Sequence, residues 1–546
     1  MKNYYITTPI YYANAKIHFG NLYTSIIADV YARSKRLLWY DVIFATGTDE
    51  NGQKMIQVAE AQGKNVMEFL DEVVAQDKEV MRLCDISYTD FIRTTESRHH
   101  KFVQTILQKT YDTGDIYQWE YEGLYCVWCE AFKKESDLIE FEGKKVCPDH
   151  LKVPESIKEK NRFFRLSKYE NKLKEFYQNN NNFIQPQYRY NEVLSFIEWW
   201  LEDFSISRQN NSFGIPLPFD KSSVTYIWYD ALLNYLTVVV DHYDDSGNPI
   251  FKPHAESMVN TLGKDISRFH AVYRPAMLMA AWLEQYIPKQ EFVGGFFTVD
   301  GQKMSKSLGN TLYAEDLVRE YDRDAMVFYL LYDIPQWADG DFSLDRLKNV
   351  YEAMLMGWRG NLVSRVTKLA QKEGITFAKI TQHQSSGEND DLSEFLTICR
   401  FFSIESYFDN GKINTYGIFN FSEVESYFDN GNINGYLQDR YQIVQRANGY
   451  MQTQAPWIKL KYEDTKAEGI EDLQFLLWMI KQLTLLSAPF LTNSFKKVQE
   501  ILWNKELSKI DSSTNLSDST IFETVFNLTE FEVNLLPDVV YQKKEA

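Results

Sequence analysis

The length, composition and charge of the chain exclude several classes of protein. Its 546 residues are too many for one compact core, so the length predicts roughly three or four folding units. With 44% hydrophobic and 25% charged residues the composition is ordinary for a globular protein, and the longest apolar stretches, such as residues 231–240, are too short to cross a bilayer. The formal net charge of −18 argues against indiscriminate binding to nucleic acid, because the averaged field repels phosphate. Any RNA partner must therefore meet local basic patches.

The first 115 or so residues alternate short β-rich runs with amphipathic stretches. Tyr4–Thr8 has the pattern of a strand, Asn21–Leu38 that of a helix, and Asp41–Thr46 that of a buried strand. This βαβ order predicts a parallel sheet with both faces covered. Because the N-terminal run lacks a continuous apolar segment and a small-residue cleavage site, we expect no secretory signal and a cytoplasmic location.

The segment from Ala13 to Asn21 lies between the first predicted strand and the first long helix. In an α/β fold this is where phosphate binds, because free N–H groups and the dipole of the helix point there. Gly20 allows close approach of the backbone, and His18 can donate a hydrogen bond to a phosphate oxygen. A plain capping turn with a surface histidine is the alternative interpretation.

Residues 116–220 change the pattern and have the character of an insertion. Four residues with metal-ligand spacing fall there: Cys126, Cys129, Cys147 and His150. Four N and S ligands without an open position suit a structural, tetrahedral zinc ion, whereas chance clustering of unrelated cysteines is the alternative. Cys84 and Cys399 are isolated and are interpreted as small core residues. A reducing compartment and a metal fit this usage better than disulfides.

Residues 221–335 resume the α/β pattern, so two separated halves are expected to form one nucleotide-binding domain. A strand-like run, Phe292–Val299, leads into a glycine-flanked loop that contains Lys303 and Lys306. Two lysines three residues apart can converge on a polyphosphate and supply charge where negative charge grows in the transition state. A bland basic loop has the same lysines, but rarely the whole context from Asp300 to Asn310.

Beyond about residue 345 nearly every segment has helical periodicity, for example Asn432–Tyr450 and Ile470–Leu486. This pattern predicts a helical bundle. One seven-residue sequence, Glu405–Gly411, recurs twenty residues later as Glu425–Gly431. A single repeat cannot build a solenoid, so we interpret the duplication as a local insertion on the surface of the bundle.

Six motifs, in this order along the chain, resemble those of the methionyl-tRNA synthetase family. They are Tyr5–Asn14, Gly47–Gly52, Asp203–Arg208, Val224–Tyr235, Gly263–Ile266 and Lys303–Ser307. The resemblance runs from about residue 4 to Trp457, and the motifs together are highly specific. The lysine loop alone would indicate only a class I aminoacyl-tRNA synthetase.

The resemblance and the chain pattern together imply an α/β fold with a helical C-terminal part. A Rossmann-like parallel-sheet catalytic domain is expected to be split by a zinc-containing insertion and followed by an α-helical bundle that binds the anticodon. The expected division is 1–115 and 221–335 for the two catalytic halves, 116–220 for the connective insertion with its zinc knuckle, 336–360 for a stem-contact linker, and 361–546 for the helical domain.

The resemblance implies a ligase that activates L-methionine with ATP and Mg²⁺ and transfers it to tRNA(Met). The implied methionine pocket consists of Ile10, Tyr12, Trp228, Ala231, Tyr235 and His270, with Asp49 at the substrate ammonium. The implied ATP site consists of His18, Gly20, Asn21, Lys264, Asp265, Lys303 and Lys306, of which His18, Asn21, Lys303 and Lys306 act in catalysis. Without the resemblance, Trp228 and Tyr235 would be interpreted as core residues.

The resemblance also places tRNA recognition in the helical region. Asn361 and Arg365, one helical turn apart, share a face with reach toward bases, and Trp457 is similar to the family's anticodon-stacking tryptophan. Packing of Trp457 between helices is the alternative. Because the chain stops soon after the bundle, without the small barrel that some relatives use to dimerise, we expect a monomer.

Three positions depart from the family's pattern. Asn21 and Asn51 each replace a histidine, and Arg274 stands where the family usually has tryptophan. An asparagine at position 21 still donates through its amide but cannot become cationic. A buried charge at position 274 must reach solvent or a carboxylate. These departures leave two other hypotheses open: a class I synthetase for another aliphatic amino acid, and a non-catalytic tRNA-binding paralogue.

Overall fold

The computed structural model describes most of the chain. The residues outside its description are 127–130, 134, 142, 149–150, 200, 210–212, 304–310, 380–404, 410–411, 417–420, 503–529 and 533–546. Within the described part, one parallel sheet forms the centre, an antiparallel insertion follows its first half, and helices dominate the C-terminal part. None of the described helices combines the length and the hydropathy that a membrane crossing requires.

Six parallel strands form the central sheet. In chain order they are β1 (Lys2–Tyr12), β2 (Tyr40–Asp49), β3 (Asp90–Arg93), β4 (Ile184–Gln185), β5 (Met258–Gly263) and β6 (Gln290–Gly294). Their order across the sheet is β3-β2-β1-β5-β6-β4. The chain therefore moves outward from β1 in one direction and from β5 in the other, as in a Rossmann-like sheet. The prediction that two separated parts of the sequence share one parallel sheet is confirmed.

Both faces of the sheet are covered, as the sequence predicts. Tyr4 and Ile6 of β1 belong to a core cluster that also contains residues of the C-terminal helices, whereas Tyr5 belongs to a second cluster on the opposite face. β1 is longer than the predicted Tyr4–Thr8, because its register with β2 shifts after Thr7 and pairing resumes up to Tyr12. The shift carries the strand further toward its carboxyl end.

Helices connect the strands and flank the sheet. In chain order they are α1 (Phe19–Leu37), α2 (Gln53–Ala61), α3 (Val66–Leu83), α4 (Ser97–Asp112), α5 (Glu170–Asn179), α6 (Gln187–Glu198), α7 (Ile227–Ala231), α8 (Asn234–Thr237), α9 (Arg274–Ala280), α10 (Ala314–Tyr321) and α11 (Arg323–Tyr332). A π-helical turn, Phe269–Tyr273, leads directly into α9. Helix α1 begins two residues before the predicted start, because His18 caps it.

The insertion is built from antiparallel strands. A four-stranded sheet has the order Phe204–Ser205, Glu155–Phe164, Ile116–Cys126 and Ala131–Lys133. A three-stranded sheet has the order Ser207–Arg208, Asp220–Thr225 and Pro216–Leu217. A hairpin within the insertion pairs Ile139–Phe141 with Lys144–Val146, and another hairpin, beyond residue 220, pairs Val240–Tyr243 with Pro249–Phe251.

The predicted single strand Phe292–Val299 is wrong in its extent. The chain leaves the central sheet at Gly294, and Phe297–Val299 pairs instead with Gln302–Lys303 and Gly340–Phe342. Gly295 explains the break, because a Cβ there would lie 2.3 Å from the carbonyl of Ala338. The main chain therefore passes close to another loop at the point where the strand ends.

The C-terminal part is mainly helical. Its helices are α12 (Leu344–Asn349), a π-helical segment (Val350–Gly360), α13 (Asn361–Lys372), α14 (Phe421–Asp429), α15 (Ile433–Gln454), α16 (Pro456–Lys459), α17 (Lys466–Ser487) and α18 (Thr492–Leu502). Two short strand pairs join Phe377–Lys379 to Glu530–Glu532 and Glu405–Asp409 to Lys412–Tyr416. The helical segments predicted around Asn432–Tyr450 and Ile470–Leu486 are confirmed.

The second copy of the duplicated sequence lies on the predicted surface only in part, because Ser426, Asp429 and Asn430 are exposed but Phe428 and Gly431 are buried. Its residues end helix α14, where Phe428 is buried and Asp429 forms an ion pair of 2.6 Å with Lys35 of α1. The carbonyl of Gly431 accepts a hydrogen bond of 2.6 Å from the indole of Trp337. The first copy contains the strand Glu405–Asp409, so the same residues form a strand in one place and a helix in the other.

A buried ionic cluster joins the sheet to the C-terminal helices. Asp29 of α1 accepts a hydrogen bond of 2.7 Å from Arg33 and lies 3.6 Å from Arg323 of α11. The neighbouring Asp324 accepts hydrogen bonds of 2.7 and 2.6 Å from the backbone and hydroxyl of Ser494. The charged side chains are at most 2% exposed, so each carboxylate depends on its partners.

Candidate active site

A cavity of about 900 Å³ opens at the carboxyl ends of β1, β5 and β6. Residues that follow each of these strands line it, among them Tyr12, His18, Gly263, Asp265 and Gly295. The cavity thus lies at the point where the strand order reverses between β1 and β5, which is where ligands bind in open α/β sheets.

All seven residues of the predicted methionine pocket line this one cavity. They are Ile10, Tyr12, Asp49, Trp228, Ala231, Tyr235 and His270. The indole of Trp228 stacks on Phe269, with ring centres 4.0 Å apart and planes 2° from parallel. Phe269 does not line the cavity, so it supports Trp228 from behind. Together with Ile10 and Ala231, the supported indole forms an apolar wall.

Tyr235 and His270 form the polar end of this wall. The Nδ1 of His270 lies 3.1 Å from the carbonyl of Ile266, which can only accept, so Nδ1 carries the proton. The Nε2 then accepts a hydrogen bond of 2.6 Å from the Tyr235 hydroxyl. Burial lowers the pKa of His270 to about 3, so the ring is neutral. The hydroxyl proton of Tyr235 is committed to this bond.

Asp49, at the last position of β2, lines the same cavity. Its Cα pairs with that of Tyr12, and its carbonyl accepts a hydrogen bond of 3.0 Å from the backbone of Ala13. The strand end therefore delivers a carboxylate, an aromatic ring and the start of the loop 13–18 to the same place.

The loop 13–18 presents His18 at the N-terminus of α1. The Nδ1 of His18 accepts hydrogen bonds from the backbone N–H of Gly20 (3.1 Å) and Asn21 (3.3 Å), so the Nε2 is the protonated nitrogen in the neutral ring. Desolvation by the surrounding protein lowers the pKa of His18. A Cβ at position 20 would lie 3.0 Å from the imidazole, which explains the glycine. His18 therefore caps the helix and keeps one N–H donor for a ligand.

Asn21 completes this cap. Its Oδ1 accepts a hydrogen bond of 3.4 Å from the backbone N–H of His18, which makes a reciprocal capping box. With the oxygen so placed, the amide nitrogen is the group that can donate into the cavity. The departure from histidine at this position thus keeps a donor beside the helix N-terminus.

Lys264 is placed next to the cavity rather than in its lining. Its ammonium contacts both carboxylate oxygens of Asp339 at 2.7 and 2.9 Å and lies 4.1 Å from the ring centre of Phe296. The ammonium holds the pKa of the Asp339 carboxyl below its usual range. Asp265, Phe296 and Asp339 do line the cavity.

Several predicted residues lie wholly or partly outside the described part of the chain. Lys306, Cys129 and His150 belong to undescribed segments, and only the backbone of Lys303 is described, in the strand Gln302–Lys303. Cys126 and Cys147 are described and buried. Among the described residues alone, no three metal-ligating side chains form a group.

The predicted tRNA residues lie in the helical part, where two of them are in contact. Asn361 is the first residue of α13 and is exposed, and Arg365 follows one turn later. The guanidinium of Arg365 lies 5.1 Å from the ring centre of Trp457, at the start of α16. Trp457 also packs partly against the core, so its two predicted roles are not exclusive.

Sequence reasoning missed several residues that shape the site. Phe296, Gln336, Trp337 and Asp339 line the cavity, and Asp77 of α3 accepts a hydrogen bond of 2.8 Å from the backbone of Ile17. The only signal for Phe296 was its place just after a strand that ends at the reversal of the sheet. Asn51 is buried away from the cavity lining, where its amide donates a hydrogen bond of 3.0 Å to Asp230.

Comparisons with known proteins agree with this geometry. The family described as tRNA synthetases class I (M) matches residues 4–367. A methionine–tRNA ligase from Caldanaerobacter subterraneus is 39% identical over 503 residues, which cover 92% of this chain and 74% of that protein. One from Nostoc is 45% identical over 392 residues, 71% of this chain and 73% of that protein. The solved Mycobacterium tuberculosis methionyl-tRNA synthetase in complex with methionyl-adenylate has a TM-score of 0.87 at 30% identity and covers 100% of both chains.

The parallel sheet, the cavity at its reversal point and the family match together define a class I tRNA synthetase. The relatives narrow this class further. The chain belongs to the methionine–tRNA ligase family.

We expect His270 to make the stability of the protein depend on pH. Its pKa is 6.5 when unfolded and about 3 when folded, so its stabilising contribution is complete above pH 6.5 and is lost as the pH falls toward 3. Between pH 7 and pH 5, the free energy of unfolding of a His270→Gln variant should fall by about 2 kcal/mol less than that of the wild type. Urea unfolding at both pH values measures this. In the control variant His242→Gln, at an exposed histidine, the free energy of unfolding should change between pH 7 and pH 5 as it does in the wild type. Equal changes in all three proteins would contradict the lowered pKa of His270.

Proposed function

We propose that the chain activates L-methionine with ATP and transfers the methionyl group to tRNA(Met). The observation that carries this proposal is that one cavity combines an apolar wall, suited to a thioether side chain, with a helix N-terminus, suited to a phosphate group. The named relatives at 39–45% identity support the same substrates.

The apolar wall suits a methionine side chain. A flexible thioether packs well against aromatic and aliphatic surfaces, and Trp228, Ile10 and Ala231 supply them. The Tyr235 hydroxyl donates its proton to His270, and the His270 ring donates its proton to the Ile266 carbonyl. This end of the wall therefore does not require a charged or strongly polar substrate group. Asp49 supplies the carboxylate that a bound ammonium needs.

The other end of the cavity suits the nucleotide. The Nε2–H of His18 and the amide of Asn21 lie at the cavity, beside the positive end of the α1 dipole, where the phosphates would lie. The methionine carboxylate attacks the α-phosphorus, an adenylate forms and pyrophosphate leaves. A ribose hydroxyl at the 3′ end of tRNA then attacks the acyl carbon and AMP leaves. No protein nucleophile is needed, because positioning and charge stabilisation suffice.

We assign the positive charge that the leaving pyrophosphate requires to Lys303 and Lys306. The assignment rests on their spacing in the sequence and on the strand Gln302–Lys303, which pairs with Phe297–Val299, a strand whose residues Phe297 and Thr298 line the cavity. Mg²⁺ bound with ATP supplies further charge at the phosphates.

Amino-acid-dependent ATP–pyrophosphate exchange tests the activation step. The wild type should exchange with methionine and with no other of the twenty amino acids at comparable kcat/KM. His18→Asn, which keeps a capping oxygen but loses the imidazole N–H, should lower kcat by about 10²-fold, and Lys306→Ala by at least as much. Thermal unfolding of both variants should match that of the wild type, and His242→Gln is the control.

The same assay separates the two other hypotheses. Exchange only with another aliphatic amino acid would favour a synthetase of different specificity. No exchange at all, with tRNA binding retained, would favour a non-catalytic paralogue. Near-normal exchange by Lys306→Ala would contradict the role given to the lysine loop.

We further propose that Asn361, Arg365 and Trp457 contact the anticodon. Their support is the 5.1 Å contact between the guanidinium of Arg365 and the indole of Trp457, because an aromatic ring backed by a guanidinium is suited to stacking a splayed base.

Replacing Trp457 tests this proposal. Trp457→Ala should raise the KM for tRNA(Met) in aminoacylation by about tenfold or more, because one stacked base is worth about 1–3 kcal/mol, and should leave ATP–pyrophosphate exchange unchanged. Tyr462→Ala, which removes a nearby ring that is 60% exposed, is the matched control. An unchanged KM for tRNA would refute the contact.

We also propose one structural zinc ion held by Cys126, Cys129, Cys147 and His150. The two described cysteines support it: both thiols are buried and neither forms a disulfide. Cys147 also opens a tight turn, in which the N–H of Leu151 donates to its carbonyl at 2.8 Å. Four such ligands would stabilise the insertion without taking part in the reaction.

Metal analysis tests the zinc site. The freshly purified protein should contain about one equivalent of zinc, and Cys147→Ser should contain much less and unfold at a lower temperature. Cys84→Ser, at a cysteine buried elsewhere, should keep its zinc. Less than about half an equivalent in the wild type would refute the site.

We keep the expected domain division as part of this proposal. It assigns 1–115 and 221–335 to the catalytic halves, 116–220 to the insertion, 336–360 to the linker and 361–546 to the helical domain. The change from parallel to antiparallel pairing after residue 115, and the pairing of Met258–Gly263 in the central sheet, support it, whereas Ile184–Gln185, within 116–220, also belongs to the central sheet. We propose that the protein acts as a monomer in the cytoplasm, and the absence of disulfides among the described cysteines supports the reducing compartment.

A further inference from the structure

Arg274, at the start of α9, is fully buried behind the amino-acid pocket. Its guanidinium carbon lies 4.3 Å from the ring centre of Tyr235, and its Nη2 donates to the sulfur of Met258 at 2.8 Å. Tyr235 lines the cavity and Arg274 does not, so the guanidinium supports the ring from behind. A fully buried cation is costly, so its presence here requires a reason.

Glu291 is the acidic partner of this cation. It lies on β6, in register with Asn260 of β5, and is as fully buried as Arg274. Within the described part of the chain, both carboxyl oxygens of Glu291 and the Nε and Nη1 of Arg274 lack hydrogen-bond partners. Burial raises the pKa of Glu291 to about 8, and the charge of Arg274 opposes that rise. The two groups therefore act on each other without direct contact.

Tyr235 is held at three points. Its carbonyl accepts a hydrogen bond of 2.7 Å from the hydroxyl of Tyr5, which anchors the backbone. Its hydroxyl is bonded to His270 at 2.6 Å, and its ring rests on Arg274. The orientation of the ring thus depends on the histidine bond and on the guanidinium.

We propose that Arg274, with Glu291 as its acidic partner, is a positioning residue of the amino-acid pocket: its guanidinium holds the Tyr235 ring so that the hydroxyl stays on His270. The inference rests on the proposed function, because the pocket is assigned to methionine there. Arginine suits this task, since its flat guanidinium stacks on a ring while its charge is balanced through space.

Two Arg274 variants and one double variant test the proposal through ATP–pyrophosphate exchange. In Arg274→Met and Arg274→Lys, the KM for methionine should rise by about tenfold, while kcat changes by less than about threefold and the KM for ATP stays constant. Lysine keeps the positive charge but has no planar group that can stack on the Tyr235 ring. Wild-type exchange tests the proposed function, whereas the ratios of variant to wild type test the inference.

The double variant Arg274→Met with Glu291→Gln separates positioning from a purely structural role. Removing both members of the buried pair should restore the urea midpoint that Arg274→Met loses, because no buried ionisable group is then left without its partner. The KM for methionine should nevertheless stay raised, because the ring still lacks its support. Should Arg274→Met fail to fold, Arg274→Lys and the double variant carry the test.

Arg268→Met is the matched control. Its guanidinium also lies over an aromatic ring, 4.7 Å from Phe196, but it is exposed and neither residue lines the cavity. It should leave the KM for methionine unchanged. A wild-type KM in both single variants, or recovery of KM together with the urea midpoint in the double variant, would overturn the proposal.

Discussion

The pairing of β1 with β5 is the constraint on which the rest of the structure depends. It joins residues about 250 positions apart, and the bond from the Thr7 hydroxyl to the amide of Asn260, 253 residues away, lies within it. Because the two strands run in parallel, their carboxyl ends open at the same edge. Tyr12, His18 and Asp265 reach the cavity on chain segments at this edge of the sheet, whereas Trp228 and Tyr235 are added by the helices that precede β5.

The polar groups of the site are organised before any ligand arrives. His18 and His270 are both neutral, yet opposite nitrogens carry the proton, because one ring accepts from backbone N–H groups and the other donates to a carbonyl. His18 therefore offers an N–H donor to a ligand, whereas the N–H of His270 is already bonded to a backbone carbonyl. Two histidines in one cavity thus have distinct tasks that are set by their nearest backbone neighbours.

The parallel sheet and the helical C-terminal part could be predicted from the sequence because local patterns encode them, whereas the amino-acid pocket was predicted only from the resemblance to a known family. Apolar alternation gave the parallel strands, and the order of strand, loop and helix gave His18 and Gly20. Residues that depend on distant chain segments could not be predicted: Asp339 joins the site through a loop that closes over Gly295, and the strand predicted through Val299 breaks because of that same contact. The buried part of the second duplicated copy was misplaced for a similar reason, since its burial depends on Lys35 and Trp337.

The buried ionic cluster at Asp29, Arg323 and Asp324 has a consequence for how the chain is made. The carboxylate of Asp324 gains its hydrogen bonds from Ser494 only when the start of α18, the last long described helix, has reached it. A nascent chain that has emerged only as far as α11 would bury Asp324 beside an uncovered apolar face, without its partners. The last strand of the central sheet ends at Gly294, but the residues that stabilise the buried cluster follow about 200 residues later. We therefore expect the growing chain to need protection from aggregation until nearly the whole of it has left the ribosome.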